Sequence, residues 1–165
     1  MRVVSNASPL ITLARVDLLM GAQELFGTLH IPEAVYQEVV VAGKGMPGST
    51  AVGEASWIQV SPIENENSLA ELKLRYGLGD GETSAVVLAK EFGADLVLMD
   101  ELRGRRMAID AGLSVMGCVG VLEALYRRGV LADLREVYGR LLAAKVRIDL
   151  RTLRTSLEQY GFPPL

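Results

Sequence analysis

VVSNASPLI, residues 3–11, decides how the rest of the chain is read. Val3 and Val4 show no polar alternation, as in a strand covered on both faces, and a strand is expected over residues 2–5. Ser8-Pro9 then opens a helix, with proline in the first turn where its missing N–H costs nothing. Between strand and helix stands Asn6, a small polar residue at the strand's carboxyl end. In open α/β sheets, ligands and catalytic groups gather at such ends.

Outward from this unit the pattern repeats. Residues 29–31 read as a short strand, 57–60 as an edge strand, 95–99 as an apolar strand ending at Asp100, and 113–116 as another. Helices are expected over 17–26, 32–41, 68–76, 80–92, 102–111, 120–128, 133–144 and 149–160, the last with Asp149 as N-cap. Residues 43–49, rich in glycine with one proline, read as a loop. Strands alternating with helices specify an α/β fold, three-layered and Rossmann-like, with a small parallel sheet of about five strands flanked by helices. The expected organisation is one domain over residues 1–130 and a C-terminal helical extension over 131–165. Apolar stripes at Leu134, Val137, Leu141 and Leu142, and at Leu150, Leu153 and Leu157, would pack that extension on the same domain or on a dimer partner.

Composition narrows the class. Half of the 165 residues are apolar, enough for a sizeable core, yet no apolar run approaches the ~20 residues that cross a bilayer. The N-terminus has no basic region followed by an apolar stretch and cleavage site. The one cysteine, Cys118, has no disulfide or CxxC partner. A cytoplasmic protein with no membrane contact is expected. The net charge of −3 is unevenly spread: residues 1–100 carry six Lys or Arg against thirteen Asp or Glu, and residues 101–165 carry eleven against seven. The acidic total argues against a dedicated duplex-coating protein. The basic C-terminal part suits contact with an anion, or simply solvated helix faces.

Three places put polar side chains at a strand end or in a first helical turn: Asn6, Asp80-Gly81-Glu82-Thr83, and Asp100-Glu101. If the first and fourth strands are neighbours, Asn6 and Asp100 face each other across the switch-point crevice. Each also has a structural use. Asp80 suits an N-cap, Glu82 suits the helix dipole, and Asn6 or Asp100 can cap the helix that follows it. The Ser8 and Thr83 hydroxyls read as caps, with Thr83, beside Glu82, the better placed to touch a phosphate or bound water. His30, the only histidine, has no partner for a metal pair and reads as structural. Residues 77–81 form a glycine-rich turn, without the preceding strand and following GKS/T of a phosphate loop. A dinucleotide-binding fingerprint is excluded, since Ser5-Asn6-Ala7-Ser8 contains no glycine.

Taken together, VVSNASPLI, LGDGETSAVVLA and LVLMDELRGRRMAIDAGLSVMGCVGVLEALYRRGVL resemble the PIN domain, and in particular small prokaryotic PIN-like proteins similar to toxin components of toxin–antitoxin pairs. The resemblance covers residues 1–130 best. It implies a metal-dependent ribonuclease acting on single-stranded RNA, with Mg²⁺ or Mn²⁺ bound by acidic residues at the carboxyl edge of the sheet. It further implies a homodimer and a protein antitoxin as partners. Carried over by position, the acid after the first strand is Asn6 here, the helix-opening acid is Glu82, and the acid after the fourth strand is Asp100. A further acid beyond the fifth strand has no counterpart, because Gly117-Cys118-Val119-Gly120 stands there.

The resemblance therefore assigns Asp100 as central metal ligand and catalytic group, Glu82 as second ligand or water orienter, and Asn6 as a neutral ligand. Hard divalent cations prefer anionic oxygen, and an Asn amide supplies the oxygen without the charge. Arg103, Arg105 and Arg106 suit bidentate contact with an RNA backbone, with Thr83 nearby; alternatively one of these arginines pairs with Asp110. Two missing acids leave a second function open: an inactive module that binds RNA or a protein partner.

Overall fold

The computed structural model describes residues 1–165. Five strands, β1 (Val3–Ser5), β2 (Leu29–Pro32), β3 (Ile58–Ser61), β4 (Leu96–Leu98) and β5 (Val115–Met116), form one parallel sheet in the order β3-β2-β1-β4-β5. β1 is central, and the strand order reverses between β1 and β4. The crevice beyond their carboxyl ends is the switch point.

Successive strand residues point to opposite faces, and each face has its own core. Val3, Leu29, Ile31, Ile58, Leu96 and Leu98 join a cluster of 26 buried residues. Covering that face are α1 (Ala7–Arg15), α2 (Leu19–Phe26), α8 (Cys118–Arg127), α9 (Leu134–Ala143) and α10 (Leu150–Gln159). Val4, Val97 and Met99 point the other way into a cluster of nine, under α6 (Asp80–Phe92) and α7 (Leu102–Asp110), with Leu72 and Tyr76 of α5 (Glu66–Tyr76) packed against it.

The helix expected over 32–41 is built in two parts. α3 (Glu33–Tyr36) runs into a π-turn over Gln37–Val41, and the chain leaves it at Gly43. A Cβ at Gly43 would lie 2.5 Å from Val39 O and 3.0 Å from Glu38 O, so only glycine passes that close. After the expected loop, residues 49–54 form an unanticipated helix, α4 (Ser49–Glu54). Its Ser, Thr, Val and Gly are poor helix formers. Burial of Val52 in the larger core and the Ser49 hydroxyl donating to Val40 O (3.1 Å) hold it instead.

The C-terminal helices share the larger core. Leu134, Val137, Leu141, Leu153 and Leu157 are all buried there, and the Tyr138 and Ser156 hydroxyls are hydrogen-bonded between α9 and α10 at 2.6 Å. Arg140 donates to Val16 O (2.6 Å), fastening α9 to the end of α1. No helix is long and apolar enough to cross a membrane.

Candidate metal centre

Asn6 continues the ladder past β1, its N–H donating to Leu98 O at 3.0 Å. The β1–β4 register pairs Ser5 with Leu98, which carries Asn6 level with Met99 rather than with Asp100. Its Nδ2 donates to Met99 Sδ at 3.3 Å. The side chain is 3% exposed, and Oδ1 is the one buried side-chain oxygen or nitrogen with no hydrogen-bond partner. Leaving such an atom unpaired costs about 1–3 kcal/mol. Oδ1 lies toward the first turn of α6, where a Cβ at Gly81 would sit 3.4 Å from it and 2.7 Å from Glu38 Oε2.

The same register displaces Asp100 from the position expected for it. One residue of offset along a strand reverses the side a residue faces, so Asp100 does not oppose Asn6. Continuing the β4–β5 pairing brings it level with Cys118. Its Oδ1 accepts the Cys118 N–H at 2.6 Å. Burial pushes the Asp100 carboxyl above its ordinary range, while the hydrogen bonds from Cys118 and the charge of Arg105 pull it back.

Three other carboxylates gather where Asp100 was expected. Glu38 reaches in from the π-turn, and its pKa is raised by burial and then by the charge of Glu82. Glu101 is raised first by a carboxyl–carboxylate hydrogen bond to Glu82, then by burial and by the charges of Glu82, Glu38 and Asp100. Glu82 itself stands in the first turn of α6, where the helix dipole offsets part of the crowding. Asp80 takes no part in the cluster, being paired with Lys73. No three acidic, His or Cys groups stand close enough to form a ready-made cage. Glu38 and Glu101 are exposed, and Glu82 is half-buried.

The residues expected at nucleic acid have internal partners. Arg103 donates to Tyr76 O (2.7 Å) at the end of α5, Arg105 to Met99 O (3.0 Å), and Arg106 Nε to Asp110 (3.0 Å). Arg103 and Arg106 remain exposed. Thr83 does not: it is fully buried and its hydroxyl donates to Gly79 O at 2.9 Å, so it closes the helical turn and cannot reach a phosphate. Cys118 is a buried thiol whose pKa burial pushes far above its usual range. That makes it a poor metal ligand.

Glu38 has no place among the residues the sequence points to, and Glu101 stands there beside Asp100 without a role of its own. Glu101 was hidden behind Asp100, the first acid after the strand, and only the register separates the two. Glu38 carries a weak signal: it is an acid following the second strand of the sheet, between apolar Val35 and Val39 that face the core. With the geometry in place, comparison with known proteins adds one finding. A family model described as a PIN domain matches residues 2–161. No curated protein matches the chain.

Proposed function

The chain belongs to the PIN-domain family, a nuclease-type fold, and from that premise we propose that it is a divalent-metal-dependent ribonuclease of single-stranded RNA. The observation that carries the proposal is the unpartnered, buried Asn6 Oδ1 beside Glu38 and Glu82. A cation at that point would satisfy the orphan oxygen and offset the negative charge around Glu38, whose carboxyl is raised by burial and then by the charge of Glu82. The donors are all oxygen, without histidine or thiolate, which suits Mg²⁺ or Mn²⁺.

In this reading Asn6, Glu38 and Glu82 hold the ion, and Glu101, exposed at the rim, completes the set and orients water. Such an ion, when bound, lowers the pKa of a coordinated water and neutralises charge on the attacked phosphate. Asp100 is a positioning residue: by holding the Cys118 N–H it ties the start of α8 to the end of β4. Arg103 and Arg106 offer their remaining N–H groups to the RNA backbone. A second reading, a binding module whose cluster is covered by a protein partner, is favoured by Leu102, which is 83% exposed next to Glu101. A homodimer through α9 and α10 has little of the two apolar stripes left to use, since Leu150 is their one exposed member.

Cleavage of a fluorescent single-stranded RNA with Mn²⁺ and with EDTA tests the proposal. Cleavage should require Mn²⁺ and be abolished by Glu82→Gln. Cleavage that persists in EDTA or in Glu82→Gln would exclude this centre as its source.

A further inference from the structure

Asn6 can present either end of its amide, and an ion can use only one of them. The oxygen end accepts, the NH2 end donates, and the two are nearly the same size. Ionised carboxylates only accept, so Glu38 and Glu82 draw the NH2 end toward themselves and set it against a cation. An aspartate has no such ambiguity, because both of its ends are oxygen. What turns the Asn6 amide is the residue level with it on the neighbouring strand. Met99 Sδ lies 3.3 Å from Asn6 Nδ2. A thioether carries lone pairs and no proton, so it takes the NH2 end and leaves Oδ1 facing the first turn of α6.

The sulfur is held firmly in that place. The Met99 N–H donates to Met116 O (2.9 Å) and its carbonyl accepts from Arg105 (3.0 Å), so the backbone is fixed on both sides. The side chain is fully buried. Gly104, inside α7, leaves the room that the side chain occupies: a Cβ there would lie 2.7 Å from Met99 Sδ and 3.2 Å from its Cγ. Glycine is a poor residue for a helix interior, and here it stands where the helix comes closest to the sulfur. Leu96, Val97 and Leu98 of β4 are pure hydrocarbon, and a heteroatom follows only at the position level with Asn6.

We propose that Met99 is a positioning residue: its sulfur holds the Asn6 amide with the nitrogen turned inward and Oδ1 toward the acidic cluster. That a cation then uses Oδ1 rests on the metal-dependent reading above; the orientation of the amide does not. Without the sulfur the amide turns over, its NH2 end satisfies a carboxylate, and a donor stands where the ion needs a ligand.

Met99→Leu keeps the volume and removes the acceptor. In metal-free protein carrying ¹⁵N-asparagine, nuclear Overhauser contacts from the Asn6 NH2 should run chiefly to the Met99 γ and ε protons in the wild type, and to Gly81 Hα in Met99→Leu. Mn²⁺ affinity, read by calorimetry, should fall about tenfold in Met99→Leu, as for other groups that orient a metal ligand. The same substitution in an Asn6→Asp background should cost no affinity, since a carboxylate has no wrong way round. A Met99 that served only packing would lower affinity equally in both backgrounds; that result overturns the proposal, and so does unchanged affinity in Met99→Leu. Wild-type contacts directed at Gly81 overturn it too, whatever the metal does. A wild type that binds no Mn²⁺ but shows the Met99 contacts removes the metal centre and upholds the orientation of the amide.

Discussion

In the proposed site Asn6 keeps the ligand role expected of it, while Asp100, whose Oδ1 accepts the Cys118 N–H, is given a positioning role. Both were legible as polar ends of apolar strands, but which of them meets the cluster depends on the pairing of β1 with β4. Pairing is a tertiary fact, and a shift of one residue separates the two roles. Two experiments follow at this scale. Asp100→Asn keeps an oxygen for the Cys118 N–H and removes a carboxylate that burial disfavours, so metal-free stability should rise slightly and the Mn²⁺ thermal shift should survive. Glu101→Gln should shrink that shift. The opposite ranking in scanning fluorimetry would return Asp100 to the centre of the site. Asn6→Asp adds a third charge beside Glu38 and Glu82. The metal-free fold should lose about 1–3 kcal/mol, and Mn²⁺ should bind at least tenfold more tightly, on the order of what ligand-sphere changes produce. Calorimetry on the two forms decides this, and equal affinities would remove Asn6 from the ion's contacts.

Among the elements, local pattern carried far. The strands at Val3–Ser5 and Leu96–Leu98 and the helix at Asp80–Phe92 were readable because apolar runs, caps and glycine breaks are short-range signals. What stayed hidden is held from a distance. α8 begins two residues earlier than expected because a carboxylate from another segment takes its first N–H. α4 exists through burial rather than propensity. The π-turn at Gln37–Val41 left no local mark beyond Gly43, and without that turn Glu38 would be one more acid on a helix. π-bulges are frequent at functional sites because they redirect a side chain without breaking the helix. Gly43→Ala forces its Cβ against Val39 O and should cost about 1–3 kcal/mol, with a loss of Mn²⁺ affinity as Glu38 shifts. Gly139→Ala, in α9 with open space around it, should stabilise by about 0.5–1 kcal/mol and leave the metal response alone. Equal metal affinity in the Gly43 variant and the wild type would separate the π-turn from the site.

Across the whole molecule, the sheet brings together acids from α6, the π-turn and the end of β4, and the fold bears their repulsion. Glu38, Asp100 and Glu101 all have folded-state pKa values above their ordinary ones. Each therefore favours the fold fully when protonated, below the unfolded carboxylate range, and that contribution is lost as pH rises through the higher folded value. His30, whose pKa burial lowers, acts in the other direction, since falling pH charges a ring that the fold prefers neutral. The informative quantity is thus the difference between proteins: metal-free Glu101→Gln should melt higher than wild type near neutral pH, by a margin that closes toward about pH 4. A margin independent of pH would detach Glu101 from the cluster. C-terminal packing is part of this architecture, since α9 and α10 complete the larger core beneath β1 and β4.

The central claim is that Asn6, Glu38 and Glu82 form one divalent-cation site at the switch point. Titration of Mn²⁺ into metal-free wild type and Glu38→Gln by isothermal calorimetry tests it most directly. The account predicts saturable binding in the wild type, weakened at least tenfold by Glu38→Gln, on the scale of ligand-sphere substitutions. Equal affinity in the two proteins, or no saturable binding in the wild type, would contradict it.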